Sequence, residues 1–195
     1  MFRIYLAVVD LIPAALVLMP LFLLLYVTVY RRNLRKTVLH CLFCLYLCVV
    51  FSLVGIPNVT YFRPELNLNL IPFRGFLVDI KNGILNIALF VPLGFLLPLL
   101  WKHFRTLLPT VCFGFSLSLS IELMQMLTFR ATDVNDLITN VMGTVAGYLL
   151  AMPVFRKSCQ SGQGRADALL LTILAFCVMF FVHPILSPFL WDRLL

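Results

Sequence analysis

Three carboxylates and one arginine lie within 15 residues of one another in a chain otherwise short of charge: Glu122, Arg130, Asp133 and Asp136. Amides accompany them at Gln125 and Asn140, with Asn82 and Asn86 further upstream. Two closely placed carboxylates can accept hydrogen bonds from a bound ligand, or can act as general acid and base. A guanidinium can grip a phosphate or carboxylate through paired N–H groups. The spacing assigns these residues to helix faces. Asp133, Asp136, Asn140, Gly143 and Gly147 advance by 3, 4, 3 and 4, and Ser118, Glu122 and Gln125 by 4 and 3, so each set forms one stripe. Asn82 and Asn86 share a third stripe, four residues apart.

The elements that must position these residues are membrane-spanning. The chain has 195 residues, 62% of them hydrophobic, with 15 Lys and Arg against 8 Asp and Glu and a mean hydropathy of +1.03. At 12% charged residues it has about half the usual share of a soluble domain. A soluble enzyme, a disordered chain, a disulfide scaffold and a nucleic-acid-binding domain are therefore excluded, despite a net charge of +7. A helix needs about 20 mainly apolar residues to cross the bilayer. Six segments qualify: 11–30, 41–62, 82–101, 106–121, 137–155 and 168–191. The fold class expected is all-α, a polytopic transmembrane helix bundle of about six spans. The basic cluster after the first span marks that span as an anchor, not a cleaved signal peptide.

Nine Lys and Arg fall after the first, third and fifth spans, and six on the other side. Positive charge gathers on the cytoplasmic face, which puts both termini outside the cell membrane. Tyr30 and Trp101 on one face, and Tyr61 and Trp191 on the other, are expected at the interfaces. The outer loop 57–81, with an alternating apolar pattern around Leu66 to Ile71, reads as a segment packed over the helix ends. In this orientation Asp10, Asn82, Asn86, Glu122, Gln125, Asp133, Asp136 and Asn140 all lie in the outer half of the membrane, with His183 a weaker member of the group. A polar side chain facing lipid is costly, so these residues are expected to face inward.

Each piece also has a simpler explanation. Gly143 and Gly147 suit close helix packing. Asp133 suits an N-cap, and Arg130 with Asp133 an ion pair at a helix start. The amides suit interhelical hydrogen bonds, and His183 suits a satisfied interior histidine. Cys41, Cys44 and Cys48 form a stripe beside His40 in a strongly apolar span and read as packing. Cys112 and Cys177 are expected to be buried in other spans. No metal, cofactor or catalytic motif is recognised, so an enzyme is the less favoured class. Pro92 and Pro98 should kink the third span or open a cavity there.

The run Asn86-Ile87-Ala88-Leu89-Phe90-Val91-Pro92-Leu93-Gly94-Phe95-Leu96-Leu97-Pro98 resembles the signature of the VanZ-like membrane proteins. So do Asn69-Leu70-Ile71-Pro72-Phe73, the pair Glu122 and Gln125, and the closing set Arg130, Asp133, Asp136, Asn140, Gly143 and Gly147. The resemblance runs from about residue 39 to residue 150. It divides the chain into a first helix with its basic loop (1–38), a VanZ-like core (39–155), and a cytoplasmic loop with the last helix (156–195). It implies a bacterial protein of the cell envelope associated with resistance to lipoglycopeptide antibiotics such as teicoplanin. The ligand-binding residues expected are Asn86, Glu122, Gln125, Arg130, Asp133, Asp136 and Asn140, with Glu122 and Asp136 the candidates for any catalysis. The partners expected are membrane lipids and a lipid-linked cell-wall precursor or lipoglycopeptide, with no nucleic acid. An intramembrane carboxylate-dependent enzyme and a proton-coupled transporter are the alternatives.

Overall fold

The computed structural model describes residues 2–30, 33–56, 68–69, 80–127, 132–155 and 165–194. It is an all-α chain with six helices long and apolar enough to cross a membrane. The helices are α1 (Phe2–Thr28), α2 (Leu34–Val54), α3 (Ile80–Leu100), α4 (Leu107–Gln125), α5 (Val134–Phe155), α6 (Arg165–Cys177) and α7 (His183–Leu194). The last two form one span, joined by a π-helical turn at Val178–Val182. The chain divides into two compact units, residues 1–62 with 169–195, and residues 63–168.

In the first unit α1 packs on α2. The second span begins earlier than its charge-free run suggests. Asn33 caps α2 by accepting the Lys36 N–H at 3.1 Å, which brings Arg35 and Lys36 into the first helical turn. Their long stems allow this, since a charged head can extend back to the interface while its methylenes pack; the Lys36 ammonium lies 5.2 Å from the Tyr30 ring centre. The helix also stops earlier, at Gly55. There a left-handed φ of 66° lets the glycine N–H reach the carbonyls of Phe51 and Ser52. Cys41, Cys44 and Cys48 lie inside this unit with Phe43, Leu47 and Phe51, and the Cys44 thiol donates to the Leu171 carbonyl at 3.4 Å. The π turn of the last span was not foreseen. It ends with the His183 N–H on the Val178 carbonyl, immediately before Pro184, which has no N–H and crowds the preceding turn.

In the second unit α3 and α5 lie side by side and parallel. Gly143 faces Ile87 and Gly147 faces Val91, one turn further on each helix. Gly94 returns the arrangement from α3, against the Thr144 backbone. Without side chains at these positions the two backbones approach closely, which maximises dispersion contact where no hydrophobic drive exists between lipid-solvated helices. Below the seam Tyr148, Ala151 and Phe155 pack with Phe95 and Leu99. The helix α3 runs unbroken through Pro92 and Pro98.

A four-residue 3-10 turn, Lys102–Arg105, connects α3 to α4. Its buried Phe104 packs edge-on to Trp101 at 6.1 Å. Trp101 is 1% exposed, so it is a core residue of the turn and not the interfacial anchor its position suggests. Thr110 donates to the Phe104 carbonyl at 2.7 Å, and Tyr148 to the Arg105 carbonyl at 2.9 Å, tying the turn to α4 and α5. Cys112, expected to be buried in its span, is instead on the exposed side of α4. Cys177 is half-buried.

Candidate functional site

Register between α4 and α5 is set by two contacts one turn apart. Gly114 meets the Thr144 side chain: a methyl group added at Gly114 would lie 2.7 Å from Thr144 Cγ2. One turn further along α4, Asn140 donates its Nδ2–H to the Ser118 hydroxyl at 2.8 Å. These pairs step four residues forward on α4 and four back on α5, so the helices are antiparallel and the next rung is Glu122 with Asp136. All but the last of these side chains are buried: Ser118, Thr144, Asn140 and Glu122 are 0 to 4% exposed, and Asp136 is half-buried.

The Glu122 carboxylate accepts the backbone N–H of Asp133 at 3.0 Å. Asp133 in turn accepts the Asn135 N–H at 2.8 Å and so caps α5. One carboxylate therefore fixes the start of α5 from the neighbouring helix, and a second satisfies a free N–H of its first turn. Thr132–Asp133 forms a two-residue parallel strand, β2, beside β1 (Leu68–Asn69), with Leu68 opposite Thr132 and Asn69 opposite Asp133. The described parts of the loop 57–81 are β1 and the first two residues of α3. The alternating pattern around β1 is that of a short strand as much as of an interfacial segment.

Asn86 is half-buried and adjoins Ile87, whose carbonyl meets Gly143, so it lies within a turn of the Asn140 level. Gln125 is buried at the end of α4. Asn82, on the same stripe as Asn86, is exposed. Asp10 lies within α1 and His183 opens α7. Arg130, Tyr61 and most of the loop 57–81 lie outside the described residues, as do the side chains of Asp10 and Trp191.

The structure adds polar residues that the spacing argument passed over. Thr139, 1% exposed, donates to the carbonyls of Asn135 and Asp136, and Thr144 donates to Asn140 O at 3.0 Å. Hydroxyls that bond back to their own helix leave no sequence signal, because Ser and Thr are tolerated anywhere in a spanning helix. Asn135 is also buried, and its position beside the cap residue was its only mark. Among the described residues no group of three or more His, Cys, Asp or Glu side chains is arranged to hold a metal.

The described motif residues on α3, α4 and α5 thus fall in one unit. The VanZ/LLP1 family model matches residues 39–156. Protein VanZ of Enterococcus faecium is 36% identical over 85 residues, which cover 43% of this chain and 52% of that protein. The match spans about half the length of that relative. No solved structure matches the chain. The match over residues 39–156, together with six helices long and apolar enough to cross a membrane, makes the chain a multi-pass membrane protein that belongs to the VanZ/LLP1 family.

Proposed function

We propose that the polar rungs between α4 and α5 form the floor of an outward-facing site that binds the head group of a lipid-anchored ligand, either a lipoglycopeptide such as teicoplanin or a cell-wall lipid precursor. The observation that carries this reading is the stack of buried polar side chains at successive turns, Thr144, Ser118 with Asn140, then Glu122, ending at the half-buried Asp136. Packing alone favours small or apolar residues at such positions, and burying an amide and a carboxylate in a spanning helix is costly without a purpose. Gln125 and Asn86 border the stack, and Arg130 supplies a contact for a phosphate or carboxylate. Both termini and the site face the outside, from the excess of basic residues on the opposite side.

A binding role is favoured over acid–base catalysis by the Glu122 carboxylate. It holds a backbone N–H, which suits a positioning group better than a shuttle for protons. Resistance would follow from sequestering the drug's membrane anchor or shielding its lipid-linked target. Labelled teicoplanin and lipid precursor should bind the purified protein and bind more weakly to Glu122→Gln and Asp136→Asn. Equal binding by all three would refute the site assignment.

A further inference from the structure

We propose that the turn between α3 and α4 is a docking site for an anionic phospholipid, with the head group on Lys102 and Arg105 and an acyl chain along the exposed stripe of α4. The turn lies at the opposite end of α4 from Glu122, so the inference is independent of the binding role proposed above. Lys102 and His103 are exposed and Arg105 is half-buried, all within a 3-10 turn of four residues. Packing holds the turn in place. Phe104 is buried edge-on to Trp101 and Phe113, Thr110 donates to the Phe104 carbonyl, and Tyr148 donates to that of Arg105. A backbone fixed in this way loses less freedom on gripping a head group than a loose basic tail would.

Charge decides the occupant. No acidic residue falls between Asp79 and Glu122. Because α5 runs parallel to α3, it ends on the same face, where the sequence adds Arg156, Lys157 and Arg165 with a single acid, Asp167. Five Lys and Arg against one Asp give this end a net charge of +4. Asp167 stands in the first turn of α6, where it answers the positive end of its own helix. The Arg105 Nε is enclosed with no hydrogen-bond partner among the described residues, so no described carboxylate holds that edge of the guanidinium. The helix α4 then starts at Thr106 without a side-chain cap, and its free N–H groups add partial positive charge beside the turn. An ammonium and a guanidinium suit a phosphate, and the surface that follows makes it a lipid phosphate. Leu108, Cys112, Phe115 and Leu119 advance by 4, 3 and 4 and are all exposed, so an apolar stripe runs along α4 from the turn. A soluble anion leaves that stripe uncovered, whereas an acyl chain follows it.

The protein is placed in nanodiscs of equimolar phosphatidylglycerol and phosphatidylcholine, and the lipids retained through purification are counted by native mass spectrometry. Both lipids carry the phosphate, and only the first has a net negative charge. Phosphatidylglycerol should be retained about tenfold over phosphatidylcholine, since each cation at a membrane surface is worth about fivefold. Lys102→Gln with Arg105→Gln should bring the two lipids close to parity, and Lys102→Gln alone, at an exposed side chain, should lower the preference by about fivefold. Arg35→Gln with Lys36→Gln removes the same charge from exposed positions on α2 and should leave the preference in place. Parity on the unmodified protein overturns the inference. So does an equal loss in the two double variants, which would mean that total charge and not this turn attracts the lipid. Inorganic phosphate added before the measurement should leave the lipid bound, and displacement by it would overturn the assignment to a lipid in favour of a free anion.

Discussion

Gly147→Ala tests the close approach of α3 and α5. A methyl group at Gly147 would collide with the Val91 carbonyl oxygen and lie 2.8 Å from Phe95 N and 2.9 Å from Val91 C. Comfortable separations are about 3.5 to 4.0 Å, so the helices must part by roughly 1 Å. All three atoms belong to the backbone of α3 and cannot rotate aside. The substitution gains about 0.5 to 1 kcal/mol of intrinsic helix stability, while overpacking costs about 1 to 3 kcal/mol. A gap of that size also forfeits a quarter to a half of each dispersion contact along the seam, including those at Gly143 and Gly94. The net expectation is destabilisation by about 1 to 2 kcal/mol. It is measured by reversible unfolding in mixed micelles against wild type and Met142→Ala, a residue 53% exposed on the same helix. The control should move by less than about 0.5 kcal/mol. A Gly147→Ala midpoint at or above wild type would refute the seam, because helix propensity would then be the larger effect.

Four further substitutions or fusions check other parts of the structure. Glu122→Leu leaves the Asp133 N–H without its acceptor and should destabilise by about 1 to 3 kcal/mol in the same assay, whereas Glu122→Gln keeps a carbonyl acceptor and should be milder; equal losses would contradict the bond. Asn33→Ala removes the cap of α2 at a cost of about 1 kcal/mol, and Asn33→Asp should preserve it. Gly55→Ala places a side chain at a left-handed φ and should cost about 1 to 2 kcal/mol, seen as a lowered unfolding midpoint. An alkaline phosphatase fused after Leu195 should be active and a green fluorescent protein fused there dark; the reverse would invert the proposed orientation.

Sequence alone determined that the chain is a membrane protein, how many spans it has, and which residues are out of place in them. Each of these follows from composition and from the 3.6-residue period, both local properties. The family was legible for the same reason, as short motifs in fixed order. Helix ends were less so: α2 begins at Leu34 because Asn33 caps it, not where charge stops. The burial of Trp101, the exposure of Cys112 and the unbroken course of α3 through two prolines depend on neighbours distant in the chain. The spacing marked Glu122, Asp133 and Asn140 as candidates, but spacing gives a face and a depth without a partner. Only tertiary structure decided that Glu122 holds the backbone of Asp133, that Asn140 meets Ser118, and that the glycines of α5 lie against α3. Those outcomes turn on which helices become neighbours and in what register, and that is fixed by the close packing of backbones at glycine, a contact no single helix can encode.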